Sequence, residues 1–124
     1  MKEESHIELI ARAVIMQDDF ILLCKPKAAD YFYFPGGHVE FNEDITMALK
    51  RELKEETDAD IGDIRFIGAW ENEFFQNSFH ESPSRKHEVN MVFEAKLASR
   101  EIKNMEDHIE CGWIIMDWEI RTGI

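Results

Sequence analysis

Residues Gly37 to Ala59, GHVEFNEDITMALKRELKEETDA, decide the fold. A glycine opens the stretch, and from Glu43 to Thr57 the residues repeat at helical spacing. At about 100° per residue, Ile45, Leu49 and Leu53 form one apolar stripe that must face a core. Glu52 and Glu56 are four apart and Glu55 is three from Glu52, so the three carboxylates share neighbouring faces of the helix. Glu52 and Glu56 fall on the edge of the apolar stripe, whereas Lys50 and Lys54 lie on the opposite, solvated side. Clustered carboxylates repel one another, and partial burial raises that cost unless a cation neutralises them. A cluster of oxygen ligands alone suits Mg²⁺ or Mn²⁺. Arg51 is expected to pair with a carboxylate of the cluster and fix its orientation.

The same residues carry a family resemblance. Gly37, Glu43, Arg51-Glu52-Leu53 and Glu55-Glu56 are spaced as in the Nudix box, the signature of hydrolases that cleave a nucleoside diphosphate linked to another group. The likeness runs beyond the box, through FPGGHVE before it and through HEVNMVFEAKL and EDHIECGWI after it. It implies an α/β fold, an α/β/α sandwich with a mixed β-sheet in which the box forms a loop–helix–loop. The chain departs from the box at Asp58, where a glycine is usual, and at Ala59, where a larger apolar residue is usual. Asp tolerates the left-handed conformation that a helix end requires, though less easily than Gly. Family members also carry a helix after the last strand, whereas this sequence stops at Ile124, so residues 1–124 read as one domain that is either unusually short or truncated before that helix.

The resemblance assigns roles residue by residue. Glu52, Glu55 and Glu56 would hold the divalent ion, Mg²⁺ or alternatively Mn²⁺, with the carbonyl of Gly36 as a further ligand. Arg51 joins the catalytic group as the residue that orients the carboxylates. The general base is Glu52 or a carboxylate of the loop before the last strand, where Glu106 and Asp107 stand. On the substrate side, Tyr31 and Phe75 are candidates to stack on a base, Arg12 and Lys25 to hold phosphates, and Glu43 to line the entrance. Arg12 sits in the middle of an apolar strand and needs a partner there. The ENEFF and HEV stretches resemble a pattern in bacterial Nudix proteins, which puts Glu71 and Glu88 at the pocket wall.

Size and charge bound the rest. The chain has 124 residues, enough for one core. No run of about 20 apolar residues and no signal-like N-terminus is present, which predicts a cytoplasmic protein away from membranes. With 26 acidic against 14 basic residues the net charge is −12, which disfavours nucleic-acid duplexes and anionic membrane surfaces. A polyphosphate would be repelled too, unless divalent cations arrive with it. The expected partner is therefore a small nucleotide-type diphosphate bound with metal, and a homodimer is compatible with this reading. Cys24 and Cys111 lie in apolar strand-like stretches without a spacing motif and read as buried thiols.

Strands are expected over Glu8–Met16, over Phe20–Cys24 as its hairpin partner, and over the aromatic stretch Tyr31–Phe34. Further strands are expected over Ile64–Glu71, His87–Leu97 and Glu110–Met116. Asn42 is the expected N-cap of the helix. The polar stretch from Gln76 to Lys86 is long for a hairpin loop and reads as functional.

The function that follows is a divalent-metal-dependent pyrophosphohydrolase that cleaves the phosphoanhydride of a nucleoside diphosphate derivative, in the nucleotide or nucleotide-sugar class. The alternative is a noncatalytic Nudix-fold sensor that binds a nucleotide, although such modules lose box carboxylates that this chain keeps. A Nudix-fold isomerase acting on isoprenoid diphosphates would need a cysteine in an active-site loop, and both cysteines sit in strand-like segments.

Overall fold

The computed structural model describes residues 6–76 and 84–116. Its elements run β1 (Glu8–Val14), β2 (Met16–Gln17), β3 (Phe20–Pro26), β4 (Gly36–His38), α1 (Ile45–Thr57), β5 (Ile61–Gln76), β6 (Ser84–Leu97) and β7 (Ile109–Ile115). They build two sheets, one in the order β4-β1-β6-β5 and one in the order β2-β3-β7. The first is mixed, as expected. β1 runs parallel to β6, from Glu8 opposite Glu88 to Val14 opposite Glu94, while β4 pairs with β1 and β5 with β6 in antiparallel fashion.

Helix α1 packs across the first sheet because its apolar stripe meets small residues there. Leu49 and Leu53 are fully buried and join Ala11, Ala13, Phe93 and Ala95 of the sheet in one core. Alanines at two β1 positions keep that face shallow, so the helix can lie close. The other sheet closes the core with Leu22 and Cys24, and Ile15 fills the corner between β1 and β2.

The start of the helix differs from expectation. Asn42 adopts a left-handed conformation, φ 66°, in the turn before the helix. Asp44, extended at φ −66° and ψ 147°, is the N-cap instead. At the other end Asp58 is left-handed, φ 57° and ψ 21°, and its N–H bonds the carbonyl of Lys54, as the departure from glycine at this position implies. Two further carbonyls of the last turn are met by the loop before β7: Lys103 N–H donates to Thr57 O and Met105 N–H to Glu56 O. These bonds seat that loop against the end of the helix.

Pairing also differs. Phe20–Cys24 is not the partner of β1; it pairs with the short β2 across the Asp18-Asp19 turn and with β7 along its length. The strand breaks at Ile15, where the chain passes from one sheet to the other. Of the aromatic stretch, Tyr33 alone bridges to a strand, exchanging both backbone hydrogen bonds with Cys24.

That exchange corrects the reading of the cysteines. Cys24 and Cys111 are joined in a disulfide. Because the peptide groups of Cys24 point to Tyr33, its pairing with Cys111 is the narrow, non-hydrogen-bonded kind, which brings facing side chains closest together. Sequence spacing carries no trace of this, since 87 positions separate the two.

Strands β5 and β6 continue well past the expected ends, to Gln76 and from Ser84. Of the stretch read as a long loop, Gln76 and the residues from Ser84 to Lys86 therefore belong to a two-stranded arm, and residues 77–83 lie outside the described residues. Residues 117–124 lie outside them as well. Among the described residues no helix is long and apolar enough to cross a membrane.

Candidate functional site

Three glutamates one helical turn or less apart give α1 its polar edge, and the structure treats each differently. Glu55 is exposed, Glu52 is largely covered, and Glu56 is only 5% exposed. The edge position of Glu52 and Glu56 on an amphipathic helix has this consequence: the side chains reach out over the adjoining β4 turn rather than into solvent.

Arg51 organises the entrance to this edge. Its Nε and Nη2 grip the Glu43 carboxylate at 2.7 and 3.0 Å, Nη1 donates to Glu52 Oε1 at 2.9 Å, and the same nitrogen reaches Glu55 at 3.3 Å. Nη2 also bonds the carbonyl of His38 at 3.0 Å. The guanidinium thus ties the turn before the helix, the β4 end and two carboxylates together. Its own proton is held far more tightly than usual, chiefly by Glu43, while Glu43 is pulled below the usual carboxylate range by the same bond. Glu43, considered for the substrate side, spends its carboxylate on Arg51.

Glu56 has no such cation. The Gly36 backbone N–H bonds it, and the sulfur of Cys24 lies 3.8 Å from its Oε2. Bonded to Cys111, that sulfur has no hydrogen to donate. Burial pushes the Glu56 carboxyl up to about 8, with the nearby charges of Glu52 and Glu106 adding to the rise and Arg12 and the Gly36 amide opposing it. Burial likewise raises Glu52, against the pull of Arg51 and with Glu55 and Glu106 adding to it. Glu106 is therefore part of the same electrostatic group as Glu52 and Glu56, brought there by the loop seated on the helix end. It also lies 3.4 Å from His108.

The glycine pair sets the floor. Gly36 has φ 143°, a conformation open to glycine, and a Cβ there would collide with the carbonyl of Ala11. A Cβ on Gly37 would run into the Glu52 carboxylate. Absence of side chains at both positions lets the β4 backbone pass directly beneath the carboxylates, so the Gly36 peptide lies beside Glu56.

These groups fit a hard divalent cation. Carboxylates at mixed exposure, a backbone peptide without a side chain and a buried glutamate lacking an ion-pair partner among the described residues are oxygen donors of the kind such an ion takes, although no three of the described carboxylates bring their oxygens within 4.8 Å of one another without it. Cys24 and Cys111 stand beside Glu56 as well, but the disulfide removes them as thiolate ligands.

Arg12 and Tyr33, whose charges act on or feel that of Glu56, line a cavity of about 360 Å³ together with Phe32, Trp70, Glu88 and Asn90. Arg12 finds the partner its strand position demanded: Nη1 donates to Phe34 O at 3.1 Å, and the guanidinium lies 5.4 Å from the centre of the Tyr33 ring. The Tyr33 hydroxyl is raised to about 12, by burial first and then by the charge of Glu56. Arg12 and Tyr33 therefore stand between the carboxylates and the cavity.

Other candidates lie elsewhere. Lys25 donates to the carbonyls of Ala29 and Pro26 at 2.6 and 3.2 Å. Phe75 is 69% exposed on the β5 arm, with Arg85 against its ring. Tyr31 is exposed near Tyr33 but is not part of the cavity wall. Glu71 pairs with His87 at 2.8 Å on the outside of the arm, whereas Glu88 does face the cavity. Asn90 and Trp70, which also line it, drew no attention in the sequence; their alternation with apolar neighbours gave the strand but not the cavity it would face.

Comparison with known proteins agrees with the fold. The NUDIX domain family model matches residues 8–119. The fold is similar to the crystal structure of a MutT Nudix hydrolase from Burkholderia pseudomallei, with 22% identity, a TM-score of 0.68, and 95% of each chain covered. It is also similar to a MutT protein from Bacillus halodurans, at 20% identity and a TM-score of 0.71, covering 87% of this chain and 68% of that one. A UDP-X diphosphatase is similar at 24% identity and a TM-score of 0.66, covering 92% of this chain and 53% of that one. At such identities the structural likenesses carry the fold, and the family match spans almost the whole length. The chain belongs to the Nudix family.

Proposed function

We propose that this Nudix-family protein is a divalent-metal-dependent pyrophosphohydrolase acting on a nucleoside diphosphate linked to another group. One observation supports it above the others: Glu56 is a carboxylate buried to 5% exposure beside Glu52 and Glu106, with no ion-pair partner among the described residues. Such an array is unfavourable by itself and becomes favourable around a cation. Mg²⁺, with Mn²⁺ as its substitute, would be held by Glu52, Glu55, Glu56 and the peptide of Gly36, and would supply charge neutralisation for the diphosphate and a more acidic water.

The chain's own residues do the rest. Arg51 holds Glu52 Oε1 and leaves the second oxygen of that carboxylate next to Gly37. Burial raises the proton affinity of Glu52, which suits it to take the proton of the attacking water. Arg12, fixed on Phe34 O, stands where a phosphate must pass from the carboxylates into the cavity. Attack at a phosphorus atom breaks one phosphoanhydride P–O bond and forms one to the water oxygen, releasing two phosphate products.

A panel of nucleoside diphosphate derivatives incubated with Mg²⁺, with phosphate read after phosphatase treatment, tests the reading. Cleavage of at least one class is expected, with loss of at least about a hundredfold in Glu56→Gln. Glu52→Gln should lose more than Glu106→Gln if Glu52 takes the proton. Tight binding of a nucleotide without cleavage, at any metal concentration, would favour the sensor reading instead.

A further inference from the structure

The far wall of the cavity is polar in a specific way. On the cavity face of the first sheet, Trp70 of β5 stands directly opposite Asn90 of β6, and Asn72 opposite Glu88. Facing residues of an antiparallel pair, and residues two apart in one strand, point to the same side. The four side chains therefore form one cluster. Asn90 is only 5% exposed, and its amide makes no side-chain hydrogen bond within the described residues. No buried side-chain nitrogen or oxygen is left without a partner, so what surface the Asn90 amide retains opens to the cavity it lines. Glu88, half-buried beside it, has no ion pair among the described residues either. An amide and a carboxylate that turn polar atoms to a cavity, with no protein group holding them, are free to meet a ligand there in place of water.

The same cavity exposes two aromatic surfaces, Trp70 at 51% and Phe32 at 54%. Flat rings beside convergent polar groups suit a planar heterocycle. Arg12 at the other end orients the assembly, because it lies between this wall and Glu56.

Resting on the pyrophosphohydrolase reading, we propose that Asn90 and Glu88 select the base of the nucleotide and that the base they select is guanine. A carboxylate offers acceptors alone, and an amide offers one donor group and one acceptor. Guanine presents in a row a carbonyl oxygen, a ring N–H and an exocyclic NH₂. The N–H and NH₂ can both donate to the two oxygens of Glu88, while the Asn90 amide donates to the carbonyl. Adenine places a ring acceptor beside its amine, and cytosine does the same, so one carboxylate oxygen would face a lone pair. Uracil flanks its N–H with two carbonyls, which a carboxylate repels. Guanine alone among the common bases satisfies both side chains.

Calorimetric titration with α,β-methylene diphosphates of guanosine, inosine, adenosine, uridine and cytidine, in Mg²⁺, tests the assignment. Guanosine is expected to bind at least about tenfold more tightly than adenosine, uridine or cytidine, as one bidentate pair discriminates. Inosine, which lacks the exocyclic amine, should fall between. Glu88→Gln, a change at a half-buried position that keeps shape, should remove most of the guanosine advantage, by weakening guanosine and by relieving the repulsion that the carboxylate imposes on the other bases. Equal binding of all the bases, or a guanosine preference intact in Glu88→Gln, overturns the assignment. If the bases bind equally and are all cleaved, the hydrolase reading stands without this specificity. If none binds with metal present, both readings fall.

Discussion

Arg51 and Glu43 are joined by two parallel hydrogen bonds, 2.7 and 3.0 Å long, across the turn that leads into the helix. The pair is partly covered, and the same guanidinium carries Glu52, Glu55 and the His38 carbonyl. Its planar fork of five donors is what allows one side chain to meet so many acceptors.

Arg51→Lys should therefore be damaging despite the conserved charge. An ammonium can keep one or two of these partners and cannot hold the bidentate contact. Turnover is expected to fall by at least about tenfold, with Glu52 no longer fixed, and the melting temperature to drop by a few degrees, on the order of 1–2 kcal/mol. Steady-state kinetics and thermal melts on the same preparation check both. Unchanged turnover in the lysine variant would show that Glu52 does not need this orientation.

Glu56 makes the metal-free protein sensitive to pH. Its carboxyl titrates near 8 in the folded chain, against about 4.3 when unfolded. The folded state thus holds the proton more tightly. The stability linked to it is fully present below about pH 4.3 and is lost as pH rises through about 8. In EDTA the melting temperature should fall across that window, by an amount on the order of a few kcal/mol. Glu56→Gln should flatten the decline, and Mg²⁺ should restore the wild-type stability at high pH. Scanning calorimetry between pH 5 and 8.5 measures each arm, and parallel profiles for wild type and variant would remove Glu56 as the source.

Asp58→Gly should stabilise the fold. Residue 58 is left-handed at φ 57°, where glycine is favoured by about 0.5–1 kcal/mol. The change also removes ion pairs with Lys54 and Lys103, at 3.3 and 3.6 Å, but both lysines are more than half exposed and such pairs contribute little. A rise of a few degrees in melting temperature with unaltered turnover is the expected result. A lower melting temperature would mean that the lysine contacts outweigh the backbone preference.

The cysteines give a chemical test. Denatured without reductant, Cys24 and Cys111 should take up no iodoacetamide, and two added groups should appear by mass spectrometry after reduction. Reduction should also lower the melting temperature, since the link closes a loop across 87 positions. Alkylation of both residues before reduction would show free thiols.

What the sequence made legible was what depends on neighbours along the chain. Leu49, Leu53, Glu52 and Glu56 are ordered by the geometry of one helix, so their faces followed from spacing alone, and Asp58 announced its left-handed backbone by standing where glycine is usual. Asn42 and Asp44 are both good caps; the choice between them depends on how the chain enters from β4, which local preference does not encode. The pairing of Phe20–Cys24 with β7 and the joining of Cys24 to Cys111 depend on strands far apart in the chain. Asn90 was hidden for the same reason. Its strand was evident from alternation, but the cavity in front of it is made by Trp70, Arg12 and the stretch around Tyr33, which meet through the fold alone.

Gly36 also bears on how this chain can vary. Any side chain at that position must displace the Ala11 carbonyl, which belongs to the backbone of β1 and cannot rotate away. Gly68 and Gly112 have open space where a Cβ would stand. Mutational tolerance is therefore uneven among the glycines, and a population of drifting sequences would shed substitutions at Gly36 long before any of them altered a carboxylate. The position that keeps the chemistry in place carries no side chain, and selection on catalysis would act there through the backbone.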